Sequence, residues 1–187
     1  LFAYWTVVNY RQAYNIFAVN GILFNHESEK RGATFVTKKT TRAVAEYYLG
    51  KNKILYLGNL DAKRDWGSAK DYVKTMWMML QKKKPTDYVI SSGKSRSVRE
   101  FVKEAFGVIG VKIKWQGKGL NEVGIDTKTN KKIIKIDKYY FRPTEVFELR
   151  GDSSKAKREL GWKPETSFKR MVEDMVNHDI EQAINNK

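Results

Sequence analysis

Short apolar runs alternate along the chain with longer stretches of helical period, and this alternation restricts the fold class more than any other feature. Residues 16–24, β-branched and apolar with Gly21 inside, predict a buried parallel strand. Residues 54–57, closed by Gly58, and residues 88–90 predict two more. Between them lie amphipathic segments: residues 34–49, ending at Gly50, and residues 68–80, with Tyr72, Val73, Met76, Trp77 and Leu80 at helical spacing. The Met and Trp of the second segment are expected to pack in the core. A helix from Ser97 to about Ile109 is announced by Ser97 and Glu100, a capping-box pair. Residues 111–115 and 133–136 are strand-like, and the polar, turn-rich stretch 117–132 between them predicts a loop or an irregular hairpin. Helices over residues 153–160, stopped by Gly161, and over residues 167–184 complete the pattern. With no internal repeat and no Gly-Ser or Pro-rich linker, the expected fold class is α/β, without independently folding domains. Residues 1–14 show full helical amphipathicity, with Leu1, Tyr4, Trp5 and Val8 on one face and no cap before them, which predicts that the chain opens inside an element.

Composition limits the function. Of 187 residues, 41% are hydrophobic and 13% aromatic, enough apolar mass for a core. No apolar run approaches the ~18 residues of a membrane span, and no basic-then-apolar secretory pattern opens the chain. No Cys is present, which excludes a disulfide framework, a thiolate zinc site and a thiol nucleophile; two His leave little room for an imidazole cluster. The cytoplasm is the expected compartment. The net charge of +15 is concentrated in residues 51–150 and favours phosphates and polyanions. Its densest runs, Lys82-Lys83-Lys84 and the series Lys128, Lys131, Lys132, Lys135 and Lys138, lack interleaved aromatics, so they read as a solvated face and no nucleic-acid partner is expected.

The chain carries no G-x-G-x-x-G, P-loop, G-x-S-x-G or H-E-x-x-H pattern, so self-sufficient catalysis is not expected. What remains is a set of polar clusters near strand ends, where α/β folds hold ligands. Asn25-His26-Glu27-Ser28 with Arg31-Gly32 could read a nucleotide, the guanidinium pairing with phosphate and the imidazole donating or stacking; a polar surface loop explains it equally well. Lys38 and Lys39 stand near a helix start, where cations and free N–H groups favour an anion. Arg64-Asp65-Trp66-Gly67, between a strand and a helix, and Arg142-Pro143-Thr144-Glu145 each offer an Arg that could straddle a diphosphate, and Glu145 could accept from sugar hydroxyls. Taken singly, each Arg is read more readily as a structural ion-pair partner.

Taken together, these stretches resemble one family. Leu23-Phe24-Asn25-His26-Glu27-Ser28 with Arg31-Gly32, Thr34-Phe35-Val36-Thr37, Leu57-Gly58-Asn59, Arg64-Asp65-Trp66-Gly67-Ser68-Ala69-Lys70-Asp71-Tyr72-Val73, Tyr140-Phe141-Arg142-Pro143-Thr144-Glu145-Val146 and Leu160-Gly161-Trp162-Lys163-Pro164 closely resemble the GDP-mannose 4,6-dehydratases, extended short-chain dehydrogenase/reductases. Related nucleotide-sugar epimerases, reductases and dehydratases share the Leu-Gly-Trp-x-Pro ending but not the Asn-His-Glu-Ser loop. The resemblance implies the last strands and helices of a Rossmann-type parallel sheet plus a smaller α/β substrate-binding domain, residues 1–187 being the C-terminal part of an NADP-dependent enzyme. The N-terminal Rossmann half, with the glycine-rich cofactor loop, a Thr/Glu acid–base pair and a Tyr-x-x-x-Lys motif, is then expected upstream of Leu1, and no catalytic residue within the chain. The implied reaction converts GDP-mannose to GDP-4-keto-6-deoxymannose by internal redox: hydride leaves hexose C4 for NADP, water is lost across C5–C6, and hydride returns to C6. By the same resemblance, Leu23, His26 and Arg31 are cofactor-binding, Leu23 through its backbone; Asn25, Lys39, Arg64, Arg142 and Glu145 are substrate-binding, the cations facing the diphosphate. The first helix, with Phe2, Tyr4, Trp5, Tyr10 and Tyr14, commonly packs on a partner subunit in this family, which implies a homo-oligomer, dimer or tetramer; packing in the core is the alternative. No membrane partner is implied.

Overall fold

The computed structural model describes residues 1–142 and 144–185; Pro143 of the Arg142–Glu145 motif lies outside the described residues. The chain runs α1 (Phe2–Tyr14), β1 (Gly21–Leu23), β2 (Asn25–Glu27), α2 (Val36–Tyr48), β3 (Leu55–Leu57), β4 (Lys63–Ser68), α3 (Ala69–Leu80), β5 (Tyr88–Ile90), β6 (Ser95–Ser97), α4 (Val98–Val108), β7 (Ile113–Gln116), β8 (Val123–Asp126), β9 (Lys132–Ile136), α5 (Ser154–Leu160) and α6 (Phe168–Asn185), with 3-10 turns at Gly119–Asn121 and Lys138–Tyr140.

Of the run expected as one strand over residues 16–24, only Gly21–Leu23 is a strand, and a second short strand with a different partner starts at Asn25, where a loop was expected. Leu23 pairs in parallel with Ile90 of β5 and Asn25 in parallel with Trp66 of β4, while Phe24 between them still donates its N–H to the Ile90 carbonyl at 3.0 Å. The backbone thus passes from one sheet to another at a single residue, and crevices form in α/β proteins where strand partners diverge. Burial there departs from expectation: Ile16, Phe17 and Ile22 are all exposed. Their β-branched and aromatic character suits a parallel strand, but the described residues supply β1 with one neighbour only, β5.

Beyond β2, the strands β4 and β6 were not anticipated, and β8 only as part of an irregular hairpin. Arg64–Gly67, read as a connection, is the middle of β4, which pairs with β2 in parallel and with β6 antiparallel. No apolar alternation marks β4 because polar bonds hold it. Asp65, fully buried, accepts from the Ser92 N–H (2.8 Å), the Ser92 hydroxyl (2.6 Å), the Gly93 N–H (2.9 Å) and the Gly151 N–H (3.2 Å), tying β4 to two loops. The stretch between the last two expected strands contains β8, so the hairpin alternative holds, irregular through a bulge at Gly124/Ile125. It belongs to a four-stranded sheet in the order β3-β9-β8-β7.

Two cores result. Val44, Leu55, Leu57, Phe101, Val102, Phe106, Ile134, Met175 and Val176 pack α2, α4 and α6 onto the four-stranded sheet and Trp66 of β4; each such side chain contributes roughly 2 kcal/mol. Tyr72, Met79, Tyr88, Ile90, Ala156 and Trp162 form a smaller cluster joining α3, β5 and α5. The predicted capping box closes α4: Ser97 Oγ accepts from the Glu100 N–H at 3.1 Å, and Glu100 Oε2 accepts from the Ser97 N–H at 2.7 Å, a device worth about 1 kcal/mol.

α1 has no buried residue, and Leu1, Phe2, Trp5, Tyr10 and Tyr14 are exposed, so core packing does not account for its aromatics among the described residues. It is tethered by Arg11, which donates to Asp87 at 2.7 and 3.1 Å and thereby holds that carboxyl down to about 2. The core role expected for Met76 and Trp77 fails as well. α3 turns Tyr72, Thr75 and Met79 inward and leaves Val73, Met76, Trp77 and Leu80 exposed, an apolar helix with only one covered face.

Candidate functional site

Strand geometry sorts the Asn25–Glu27 segment. Alternate residues of β2 point to opposite sides: Asn25 and Glu27 line a cleft of about 360 Å³, whereas His26 lines a neighbouring depression of about 350 Å³. Asn25 and Arg31 border both. The sequence reading made residues 25–32 a loop; its first three residues are instead a strand, and Glu27 is only 2% exposed.

The larger cleft gathers all five residues carried over as substrate-binding: Asn25, Lys39, Arg64, Arg142 and Glu145. They come from β2, α2, β4 and the segment after Lys138–Tyr140. Lys39 lies over the Tyr140 ring, its Nζ 3.5 Å from the centroid. Arg64 is more committed than expected. Its Nη1 donates to the carbonyls of Lys63 and Val146, both at 2.7 Å, and its Nη2 donates to Glu145 Oε1. A guanidinium has five N–H groups, so Nε–H and one Nη2–H remain for a ligand. Glu145 thus holds Arg64 through Oε1, and its Oε2 is left as an acceptor at the cleft. Arg142 is exposed on the cleft rim.

Leu23, His26 and Arg31, carried over as cofactor-binding, share the smaller depression with Phe24, Asn25 and Leu149. His26 Nδ1 is 2.9 Å from the Phe24 carbonyl. A carbonyl only accepts, so Nδ1 carries the proton and Nε2 is the ring's remaining polar atom. The ring rests on Tyr72, centroids 5.4 Å apart. The Arg31 guanidinium covers the Phe35 ring at 3.6 Å, and its Nε approaches Glu27 Oε2 at 3.2 Å. That approach is off the hydrogen-bond line, and Nε is buried without a hydrogen-bond partner. Burial raises the Glu27 carboxyl above the ordinary carboxylate range, against the opposing pull of the Thr37 hydroxyl bond, Arg31 and His26.

Lys38, a candidate for the site, and the Leu160–Pro164 motif, which bears only on the resemblance, lie elsewhere. Lys38 lines neither hollow, because its charge is met within the protein: it donates to the Glu29 carbonyl at 2.7 Å and to the Asp179 carboxylate at 2.5 Å, pinning α2 to α6. The Leu160–Pro164 motif lines neither hollow. Its Trp162 indole donates to the Asp71 carbonyl at 3.1 Å, and the Asp71 carboxylate accepts from the Glu165 and Thr166 N–H groups at 3.0 and 2.9 Å, which makes this a structural clasp. Glu27, Thr37, Gly58 and Tyr140 also line the cleft and went unnoticed as site residues. Neither the Glu27–Arg31 contact, made between a strand end and a loop, nor the approach of Tyr140 to Gly58 left a signal in the sequence. Among the described residues no group of three or more carboxylate or imidazole side chains is placed to hold a metal ion, and no helix is long and apolar enough to cross a membrane.

The fold is shared with solved nucleotide-sugar enzymes. RMD from Pseudomonas aeruginosa, complexed with NADPH, superposes with a TM-score of 0.78 at 18% identity, over 96% of this chain and 53% of that one. Likeness at that identity establishes a Rossmann-type α/β fold. Sequence relatives are nearer. The GDP-mannose 4,6 dehydratase of Homo sapiens is 58% identical over 181 residues, 97% of this chain and 49% of the relative. The GDP-mannose 4,6-dehydratase of Sinorhizobium fredii (strain HH103) is 56% identical over 180 residues, 96% of this chain and 51% of the relative. The chain thus spans about half the length of the curated relatives it matches. The family model for GDP-mannose 4,6 dehydratase matches residues 1–175, a span that contains both hollows and every residue assigned to them, and the chain accordingly belongs to the GDP-mannose 4,6-dehydratase family.

Proposed function

We propose that this chain is the substrate-gripping part of an NADP-dependent GDP-mannose 4,6-dehydratase, a cytoplasmic lyase that converts GDP-mannose to GDP-4-keto-6-deoxymannose. The observation that carries this reading is the convergence of Lys39, Arg64 and Arg142 with Asn25 and Glu145 on one cleft, although these residues are spread over β2, α2, β4 and the segment beyond β9. Three cations around one hollow suit a pyrophosphate, each charge-assisted bond contributing roughly 1.5–3 kcal/mol. Arg64, clamped by two carbonyls and Glu145, presents its remaining N–H groups without loss of side-chain freedom on binding. Binding energy from the nucleotide handle then orients a sugar that offers only hydroxyls.

The smaller depression suits NADP. Arg31, its Nε edge buried beside Glu27, offers the outer fork for phosphate, and His26 a ring nitrogen beside Tyr72. NADP, when bound, would supply hydride acceptance and return. The shared border at Asn25 and Arg31 would bring sugar and cofactor side by side. The proton-transfer groups belong, in this reading, to the other half of the enzyme. Its supports are physical: β1–β5 is a two-stranded parallel pair, and parallel sheets are normally covered on both faces. The exposed aromatic faces of α1 and α3 fit burial against that half and against a second copy in a homo-oligomer.

Arg64→Ala tests the assignment. In the full-length protein it should weaken GDP-mannose binding about tenfold, measured by titration calorimetry, and weaken NADPH binding less. Equal loss of both ligands would contradict the role given to Arg64.

A further inference from the structure

Glu27 is used by nothing described so far, yet it is among the most buried charged residues of the chain, at 2% exposure. Its carboxylate accepts from the Thr37 hydroxyl at 2.6 Å and stands 3.2 Å from Arg31 Nε. Arg31 is thus held on two sides, by the Phe35 ring against its face and by the Glu27 charge at its Nε edge. Among the described residues neither Nη1 nor Nη2 of Arg31 donates to the protein, so the outer fork is left for a ligand. We propose that Glu27 is a positioning residue for cofactor binding, fixing the Arg31 guanidinium so that its fork faces the smaller depression. This rests on the reading of Arg31 as a phosphate contact for NADP.

The charge itself is the informative feature. Burial lifts the Glu27 carboxyl more than Thr37, Arg31 and His26 lower it. A carboxyl raised in the folded state contributes stability that is full below its unfolded value and is lost as pH rises through the folded one, so ionising Glu27 works against the fold. A neutral Gln would keep the shape and still accept from Thr37. A charge on Glu27 is therefore held at a cost to stability, as groups placed for function are. The charged or titratable groups acting on Glu27 are Arg31 on the following loop and His26 on its own strand; Thr37 from α2 and Ser68, its register partner on β4, are neutral.

The test is a double-mutant cycle in the full-length protein, reading NADPH dissociation constants and thermal midpoints. Glu27→Gln should weaken NADPH about tenfold, through an Arg31 contact of the charge-assisted kind, while leaving the midpoint at neutral pH unchanged or higher. In an Arg31→Ala background it should add no further loss. NADPH affinity of the unmodified protein should also weaken as the pH is lowered and Glu27 takes up its proton above the ordinary carboxylate range, and subtracting the Glu27→Gln profile, which cancels the titration of the cofactor's own phosphate, should isolate that loss. Arg31→Ala weakening NADPH while Glu27→Gln does not, independent losses in the cycle, identical pH profiles, or a large drop in midpoint for Glu27→Gln would each overturn the proposal. If Arg31→Ala leaves NADPH binding intact, the reading of Arg31 fails and the proposal falls with it. Should the Gln variant not fold, Glu27→Asp decides: with the charge kept but withdrawn by one methylene, NADPH binding should weaken and the pH dependence persist, and unchanged binding would count against Glu27.

Discussion

Asp65→Ala is expected to lower the thermal midpoint of the protein by about 10 °C, the equivalent of roughly 3–5 kcal/mol in a domain of this size. The reason is not the loss of a surface charge. Asp65 is wholly enclosed and accepts four hydrogen bonds, from the Ser92 N–H and hydroxyl, the Gly93 N–H and the Gly151 N–H. Alanine would leave those donors facing a space with no acceptor, and each buried unsatisfied group costs about 1–3 kcal/mol. Asp65→Asn, which keeps one acceptor oxygen, should lose about half as much. Thermal and urea unfolding check the pair. A midpoint within a degree or two of the parent, on the scale of ordinary surface changes, would mean that the loops at Ser92 and Gly151 are held by something else.

Gly58→Ala is expected to act on ligand binding rather than on the fold. At the end of β3 the chain passes under the segment leading from β9, and a methyl group on Gly58 would collide with the Tyr140 carbonyl oxygen, lie 2.7 Å from its carbon and 3.3 Å from the Phe141 nitrogen. Backbone cannot rotate out of the way as a side chain can. The segment must lift, taking with it the Tyr140 ring under Lys39 and the attachment of Arg142. Displacement on the order of 1 Å in a binding constellation costs about a hundredfold, so GDP-mannose affinity should fall by that order. NADPH affinity should change little, because Leu23, His26 and Arg31 lie on other elements. Unaltered GDP-mannose binding would show that Tyr140 and Arg142 do not shape the cleft.

Elements that announce themselves locally were legible. The Ser97/Glu100 capping box, the glycine after α2 and the apolar triplet of β5 are each decided within a few residues, and the structure reproduces them. β2, β4 and β6 were not legible, because Asn-His-Glu, Lys-Arg-Asp-Trp-Gly-Ser and Ser-Arg-Ser have no apolar period. They are strands by virtue of their neighbours. Asp65 is buried only because three loop N–H groups converge on it, and Glu27 only because α2 brings Thr37 across. Burial of helix faces failed for the same reason: spacing shows that α1 and α3 are apolar but not what covers them.

The site divides in the same way. Residue chemistry alone left Arg64 and Arg142 as separate ion-pair candidates, and their association came from family resemblance. That they share a cleft is a property of the folded chain, as is the Arg64–Glu145 pair. Lys38 and Lys39 are adjacent and chemically alike, yet one is tied to Asp179 while the other reaches the cleft, because successive helical positions are rotated away from each other.

The account depends on cations from separate elements acting together on one nucleotide diphosphate. The direct test is calorimetric titration of GDP and of GDP-mannose into the full-length protein carrying Lys39→Met and Arg142→Ala together. Both ligands should bind about a hundredfold more weakly than to the parent, as expected for the loss of two charge-assisted contacts, with NADPH affinity retained. Parent-like affinity for both nucleotides would contradict it.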